Sequence, residues 1–230
     1  MNDAGAASDA QQAELRMLAR AVDRAGLATA FGHCSLRLDP NRFLVCAAKP
    51  MGLIAAGEPG SVAPIDGPLP GGVLGEVRMH REIYARRPDV NAIVRFISPS
   101  VTALAALGRS PRPRHGVGSY FSPVVPMWAD PGLVRNDPAA RGVAETMGNA
   151  PAVVVSVNGA VAAGATAAQA LALGIFLEDA ARIELLALGV GGNDLPQLSE
   201  EQARSRATWE GRVAERLWDY WTAGDPEQPA

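Results

Sequence analysis

The amino-acid sequence predicts an α/β fold, a sandwich built around a mixed β-sheet. Two patterns lead there: strand-like runs alternate with segments of helical periodicity, and a tight hairpin stands near each end of the chain. Length agrees, because 230 residues of which 48% are hydrophobic can bury a sizeable core. One domain is expected over 11–222, between a disordered lead-in at 1–10 and a flexible tail at 223–230.

The first element is a helix from about Ala10 to Arg24, where Leu15, Leu18, Val22 and Ala25 recur at helical spacing and Gly26 marks the stop. Strand-like alternation runs to Asp39, Asp39-Pro40-Asn41 turns the chain, and Phe43 to Ala47 returns as the second arm of a hairpin. The stretch 57–75 is rich in glycine and proline and reads as loop with at most short strands. Glu76 opens a helix that ends before Pro88, because proline disfavours helical geometry in the residue before it. Val90 to Ile97 is apolar, rich in β-branched residues and closed by Ser98-Pro99, which reads as a buried central strand. Alternation along it puts Arg95 and Ile97 on one face.

Beyond that strand, Ser100 starts a short helix that Gly108 ends. Arg109 to His115, with two prolines and four basic groups, suits an exposed loop, and Val124 to Trp128 reads as a strand. Asp137-Pro138 supplies an N-cap with proline at the first helical position, and Gly148 supplies the stop. Ala152 to Val157 and Ala160 to Ala163 read as strands joined at Asn158-Gly159. Two late helices open on capping boxes, Thr166 with Gln169 and Ser199 with Gln202. The first of them, over about 167–188, is apolar on more than one face and should be largely buried. Trp209, Trp218, Tyr220 and Trp221 are expected to form a C-terminal aromatic cluster.

Composition narrows the function classes. A net charge of -3, with arginines spread among acidic residues, gives no electrostatic footprint for nucleic acid or an anionic membrane, so a small-molecule or protein partner is expected. No apolar run reaches the ~20 residues of a membrane span, and the first residues lack the pattern of a signal peptide, so a cytoplasmic protein is expected. Cys34 and Cys46 are too few for a disulfide framework or a cysteine zinc site and read as buried apolar residues.

Taken in order, the helix from Gly75 to Tyr84, the segment Arg87-Pro88-Asp89-Val90-Asn91-Ala92, the central strand and Ser98-Pro99 resemble the core of the class II aldolase/adducin family. Gly32-His33-Cys34-Ser35-Leu36-Arg37 resembles that family's Gly-(His/Asn)-x-Ser-x-Arg entry, and Lys49-Pro50-Met51-Gly52 takes the place of its Thr-Pro-Ser-Gly loop. The ending Leu217-Trp218-Asp219-Tyr220-Trp221 looks like the branch that contains dihydroxyphthalate decarboxylases. The resemblance covers about Leu15 to Tyr220. It implies a three-layer α/β/α sandwich around the mixed sheet and a homotetramer with its active site between subunits.

The resemblance also implies a chemistry, and the sequence departs from it. Family enzymes hold a divalent metal through three histidines, two of them as His-x-His before Ser-Pro, and use an acidic residue on the preceding helix to move protons. Glu76 stands in the acid's place, but the metal positions correspond to Arg95, Ile97 and Asn158. Isoleucine has no donor atom, arginine brings a fixed positive charge, and an asparagine carbonyl is a weak ligand for a transition metal. No metal site and no other cofactor is therefore expected. Family members that act on sugar phosphates grip phosphate with serines, where this chain has Leu74-Gly75 and Met51-Gly52, so a non-phosphorylated substrate is expected.

These readings converge on a metal-independent enzyme of lyase, cyclase or isomerase type acting on a small carbonyl or carboxylate substrate, with an aromatic one and a place in secondary metabolism in view. Glu76 is the candidate acid/base, Arg95 the anion anchor and Asn158 a hydrogen-bond partner for an oxyanion. His33, Lys49, Tyr120 and His115 are candidate substrate contacts, and His80 is expected on the inner face of its helix in a structural role. Two alternatives stand beside this reading: Glu76 and Arg95 pair with each other for stability alone, and the chain is a non-catalytic relative that binds a metabolite or a protein.

Overall fold

The first helix is capped at Ser8, whose hydroxyl accepts from the backbone N–H of Gln11 while the Gln11 side chain reaches back, a complete capping box for helix α1 (Asp9–Arg24). Of the lead-in expected to be disordered over 1–10, Ser8 caps the helix and Asp9 and Ala10 belong to it, while 1–5 lie outside the described residues. The structure, a computed structural model, describes residues 6–191 and 195–228. Leu15, Leu18, Ala19 and Val22 line one face of α1 and are wholly buried.

Strands β1 (His33–Asp39), β2 (Arg42–Val45) and β3 (Ser61–Pro64) then form an antiparallel meander, and β4 (Ala92–Phe96) pairs with the other side of β1. With β5 (Met127–Trp128), β6 (Ala152–Val155) and β7 (Ala160–Gly164) the sheet has seven strands in the order β3-β2-β1-β4-β7-β6-β5. Only the β5–β6 pair is parallel, so the sheet is mixed. β5 is shorter than the expected Val124–Trp128 strand because Pro123 and Pro126 have no N–H to give to a ladder.

Side chains alternate across the sheet and build two separate cores. Cys34, Leu36, Val94, Phe96 and Ala162 face α1, α3 (Pro99–Ala106) and α5 (Ala167–Val190). Val45, Ile93, Val153 and Val161 face α2 (Arg78–Arg86) and α4 (Asp137–Met147). The result is the three-layer α/β/α sandwich. α5 lies across the sheet with Leu171, Phe176 and Leu177 buried, each contributing roughly 1.5–3 kcal/mol by burial. Both cysteines are free and buried.

Several boundaries differ from expectation for local reasons. Glu76 lies in a short 3₁₀ turn over Gly75–Val77, and α2 proper starts at Arg78. The N-cap of α4 is Asn136, whose side chain accepts from Ala139 N–H, while Asp137 turns its carboxylate to Arg78 and Arg81. Thr166 caps α5 as expected, but the Gln169 side chain accepts from Ala165 instead of closing the box. The Arg109 to His115 loop is not an exposed loop: Pro111 and Pro113 are buried, and Arg114 forms an ion pair with Glu184 of α5 that is almost fully covered.

The C-terminal part folds back onto the body. After α6 (Glu200–Arg206) and α7 (Val213–Thr222), Asp225 takes two hydrogen bonds from Arg20 at 2.6 and 2.7 Å, and Glu227 pairs with Arg16 and Arg20. These contacts correct the expectation of a flexible tail over 223–228, the last two residues lying outside the described ones: arginines one turn apart on α1 clamp two acidic residues, and Asp225 is buried. The four C-terminal aromatics form no single cluster. Tyr220 meets Trp221 edge to face at 5.1 Å, Trp218 and Trp221 pack against the α1/α5 core, and Trp209 lies 4.7 Å from the Tyr120 ring. Among the described residues no helix is long and apolar enough to cross a membrane.

One side chain ties the α2 layer to the sheet. Arg37 on β1 donates to the carbonyls of Tyr84, Arg87 and Val90, two of them groups that the end of α2 leaves without helical partners, and its guanidinium lies 4.7 Å from the Tyr84 ring centre. Arg37→Met is expected to lower the unfolding free energy by about 1.5–3 kcal/mol, read as a shift in urea midpoint at constant slope. Arg37→Lys should not restore it, since one ammonium cannot reproduce the planar fork.

Candidate active site

The register of two neighbouring strands creates the site. His33 on β1 stands directly opposite Arg95 on β4, and His33, Ser35 and Arg37 share the face turned toward α2. His80 and Tyr84 lie four residues apart and look down from α2 onto that face. The outcome is a buried polar file inside an otherwise apolar layer. His33 Nδ1 is 2.9 Å from His80 Nε2, His80 Nδ1 is 2.7 Å from Ser35 Oγ, and Ser35 Oγ is 2.9 Å from Tyr84 Oη.

Arg95 sits at the head of this file and is only 7% exposed. Its Nη2 donates to the main-chain carbonyl of Asn158 at 3.2 Å, its Nε–H has no partner, and among the described residues no carboxylate is within ion-pair distance. The turn that brings Asn158 here is seated on the end of β4. Gly159 has φ +82°, and a Cβ there would stand 2.1 Å from the Phe96 carbonyl oxygen, so only glycine permits the approach.

Glu76 does not pair with Arg95. Its Oε1 accepts from Arg135 Nε at 2.9 Å, a contact made from the loop between β5 and α4. The same loop accepts at Pro131 O from Asn158 Nδ2 at 3.3 Å. Glu76 is close enough to Arg95 to favour its charged form, against the burial that lowers its pKa. The expectation of a purely structural Glu76–Arg95 pair is therefore corrected, and Arg135 is a site neighbour that nothing in the sequence pattern singled out.

The other candidates separate. Lys49 is committed to Glu58 at 2.9 Å, though its loop lies close by, with Met51 packed against Gly32 beside the Arg95 backbone. Tyr120 donates to Thr208 O and stacks between Phe176 and Trp209, on the α5 side of the sheet. His115 lies against Gly118 and faces Asp179 of α5. Neither joins the Arg95 group. Asn158 also departs from its expected role, since its side-chain amide is engaged with Pro131 and its main chain holds Arg95. His80 is wholly buried as expected, but it is a link in the polar file as well as a core residue. A wider cleft beside the C-terminal half of α2 is lined by Arg37 and Arg81, both already committed, to carbonyls and to Asp137.

The chain matches the model of the class II aldolase and adducin N-terminal domain over residues 13–185. The chain belongs to the class II aldolase and adducin family. It is 30% identical over 203 residues to a 3,4-dihydroxyphthalate decarboxylase of Arthrobacter keyseri, covering 79% of this chain and 81% of that one. A 3,4-dihydroxyphthalate decarboxylase of Rhodococcus jostii (strain RHA1) is 25% identical over 209 residues, 80% of this chain and 86% of that one. Among solved structures, L-fuculose-1-phosphate aldolase from Thermus thermophilus superposes with a TM-score of 0.70 at 27% identity, covering 82% of this chain and 98% of that one.

Within the class II aldolase family the resemblance assigns the metal to the positions of Arg95, Ile97 and Asn158, and these side chains do not fit a cation. Arg95 is itself cationic, Ile97 has no donor atom, and the Asn158 amide donates to Pro131. Among the described residues no group of three His, Cys, Asp or Glu is placed to hold an ion.

Electrostatics keep the file neutral. Burial holds His33 well below the usual imidazole range, with His80 and Arg95 adding to the effect, and burial with Arg95 nearby takes His80 down to about 3. Both rings would take up protons near pH 6.5 once unfolded, so below that pH the unfolded chain binds more protons than the folded one. Stability is therefore fully present above about pH 6.5 and falls as pH drops, by up to about 1.4 kcal/mol per pH unit for each ring. Urea unfolding between pH 7 and pH 5 is expected to show that slope, and His80→Gln to flatten it. Carboxylates such as Glu227, held down to about 2 chiefly by Arg16, act at lower pH.

Proposed function

We propose that this chain is a metal-independent lyase of decarboxylase type, acting on a small non-phosphorylated aromatic carboxylate that Arg95 holds and Glu76 protonates. The observation that carries the reading is Arg95 itself: a buried guanidinium without a carboxylate partner and with Nε–H unmet is the arrangement expected of a group that meets its anion in the substrate. Two relatives named as 3,4-dihydroxyphthalate decarboxylases support the reaction class.

In this reaction the bond between a substrate carbon and its carboxyl group breaks, carbon dioxide leaves, and the electron pair stays on that carbon and its conjugated oxygen. Arg95 stabilises the negative charge on that oxygen from a site already shielded from water. The Glu76 carboxylate draws a proton from solvent and passes it to that carbon, which forms the new C–H bond and returns Glu76 to its ion pair with Arg135. Arg135 orients Glu76, and the Asn158 carbonyl aims Arg95. A neighbouring copy completing the site, as the family resemblance implies, would cover Phe31 and Leu53, which are exposed on the loops beside it.

The test is carbon dioxide release from 3,4-dihydroxyphthalate and other ortho-oxygenated benzoates by protein treated with EDTA. Release unchanged by EDTA is expected. Activity that arises only on adding zinc, manganese or iron would overturn the metal-independent reading.

A further inference from the structure

We propose that Tyr84, Ser35 and His80 form a one-way hydrogen-bond relay that fixes His33 as the tautomer with its proton on Nε2, presenting a neutral N–H beside Arg95 to a substrate oxygen. This rests on the reading of Arg95 as the anion site and adds to it a second donor and three positioning residues.

The argument is an account of protons in a buried file. Each contact has one hydrogen to place, and the file has two consistent directions. In the first, Tyr84 donates to Ser35, Ser35 to His80 Nδ1, and His80 Nε2–H to His33 Nδ1, which leaves the His33 proton on Nε2. In the second His33 Nδ1–H donates to His80 and His80 Nδ1–H to Ser35, and whichever of Ser35 and Tyr84 donates to the other, one hydroxyl hydrogen is left over. Among the described residues Tyr84 Oη has no other partner, and Tyr84 is 2% exposed, deep beneath α2. The first direction leaves its unmet donors at the site, where His33 Nε2 and Arg95 Nε are both buried without protein partners. One substrate oxygen atom carries lone pairs for both. The second direction strands a hydroxyl hydrogen at the end of the file away from Arg95, and it turns a bare Nε2 lone pair toward the incoming anion.

The geometry supports the same choice. His33 and Arg95 are cross-strand partners, so their side chains leave the sheet on one face, and Gly32 packs against Met51, Ala28 and the Arg95 carbonyl where β1 begins. Burial and the nearby charge of Arg95 keep both rings neutral, which a relay of single protons requires.

The tautomer is measurable without a substrate. In protein labelled with ¹⁵N in its histidine rings, long-range ¹H–¹⁵N correlation is expected to show His33 protonated at Nε2 and bare at Nδ1. Ser35→Ala removes the hydroxyl hydrogen that His80 Nδ1 accepts and with it the bias between the two directions, so His33 should become a mixture. Salicylate, as a small aromatic carboxylate probe, should bind Ser35→Ala about two-fold more weakly, in proportion to the share of Nε2–H tautomer that remains. Tyr84→Phe leaves the Ser35 hydrogen, which His80 Nδ1 alone can then accept, and should keep the Nε2–H tautomer. His33 protonated at Nδ1 in the wild type, or an unchanged tautomer in Ser35→Ala, would overturn the relay. An Nε2–H tautomer in a protein that does not bind salicylate would instead support the relay and overturn the reading of Arg95.

Discussion

Arg95→Met is expected to weaken binding of salicylate or phthalate by about 2–5 kcal/mol while leaving thermal stability unchanged or higher. The two halves of that expectation come from one feature. A buried charge is normally retained because a partner would be stranded without it, and breaking such a pair costs about 3–5 kcal/mol. Among the described residues Arg95 has no carboxylate partner to strand; its hydrogen bond there runs from Nη2 to the Asn158 carbonyl, and its Nε–H is unmet. Removing it relieves a desolvated cation and leaves one carbonyl at a partly covered turn, and methionine fills similar volume. A structural arginine gives the opposite pattern, with stability lost and no ligand effect. Thermal melts and calorimetric titration on the same two proteins separate the cases. A melting temperature lowered by about ten degrees, the mark of a lost structural contact, with affinity intact would remove the anion-anchor assignment.

The fold was largely legible from the sequence, and the reasons are particular. Amphipathic periodicity marked α1, the Thr166 cap before a long run apolar on more than one face marked α5, Gly26 and Gly148 marked helix ends, and the apolar run before Ser98-Pro99 marked β4. What stayed hidden was pairing between distant segments. No local signal says that the loop holding Pro131 and Arg135 folds over Glu76 and Asn158, or that Asp225 and Glu227 reach Arg20 and Arg16. Charged side chains in a Pro- and Gly-rich stretch read as solvent-facing until tertiary contacts place them. The relay was closer to legible: His33 and Ser35 at strand spacing, with Glu76, His80 and Tyr84 at helical spacing, declare two polar faces. Only the β1–β4 register and the packing of α2 show that the faces meet. Tyr120 and His115 were misplaced because alternation alone does not say which side of the sheet a connecting segment covers.

Glu76→Gln is expected to reduce turnover by about 10²–10⁴-fold with little change in substrate affinity or stability. Glutamine keeps the shape of the side chain and can still accept from Arg135 through its amide oxygen, but it cannot take up a proton and pass it to carbon. The stability half follows from the partner: Arg135 is 63% exposed, and ion pairs with so exposed a member contribute about 0–1 kcal/mol. A double-mutant cycle between Glu76→Gln and Arg95→Met should give a small stability coupling, because the two side chains interact through space without forming an ion pair. Their coupling in turnover should be large, since each acts on the same substrate anion, one holding the charge and the other discharging it. Single-turnover measurement of carbon dioxide release at saturating substrate isolates the chemical step from binding. Undiminished release by Glu76→Gln would move the proton donor elsewhere, and the nearest neutral N–H beside the same substrate oxygen is that of His33.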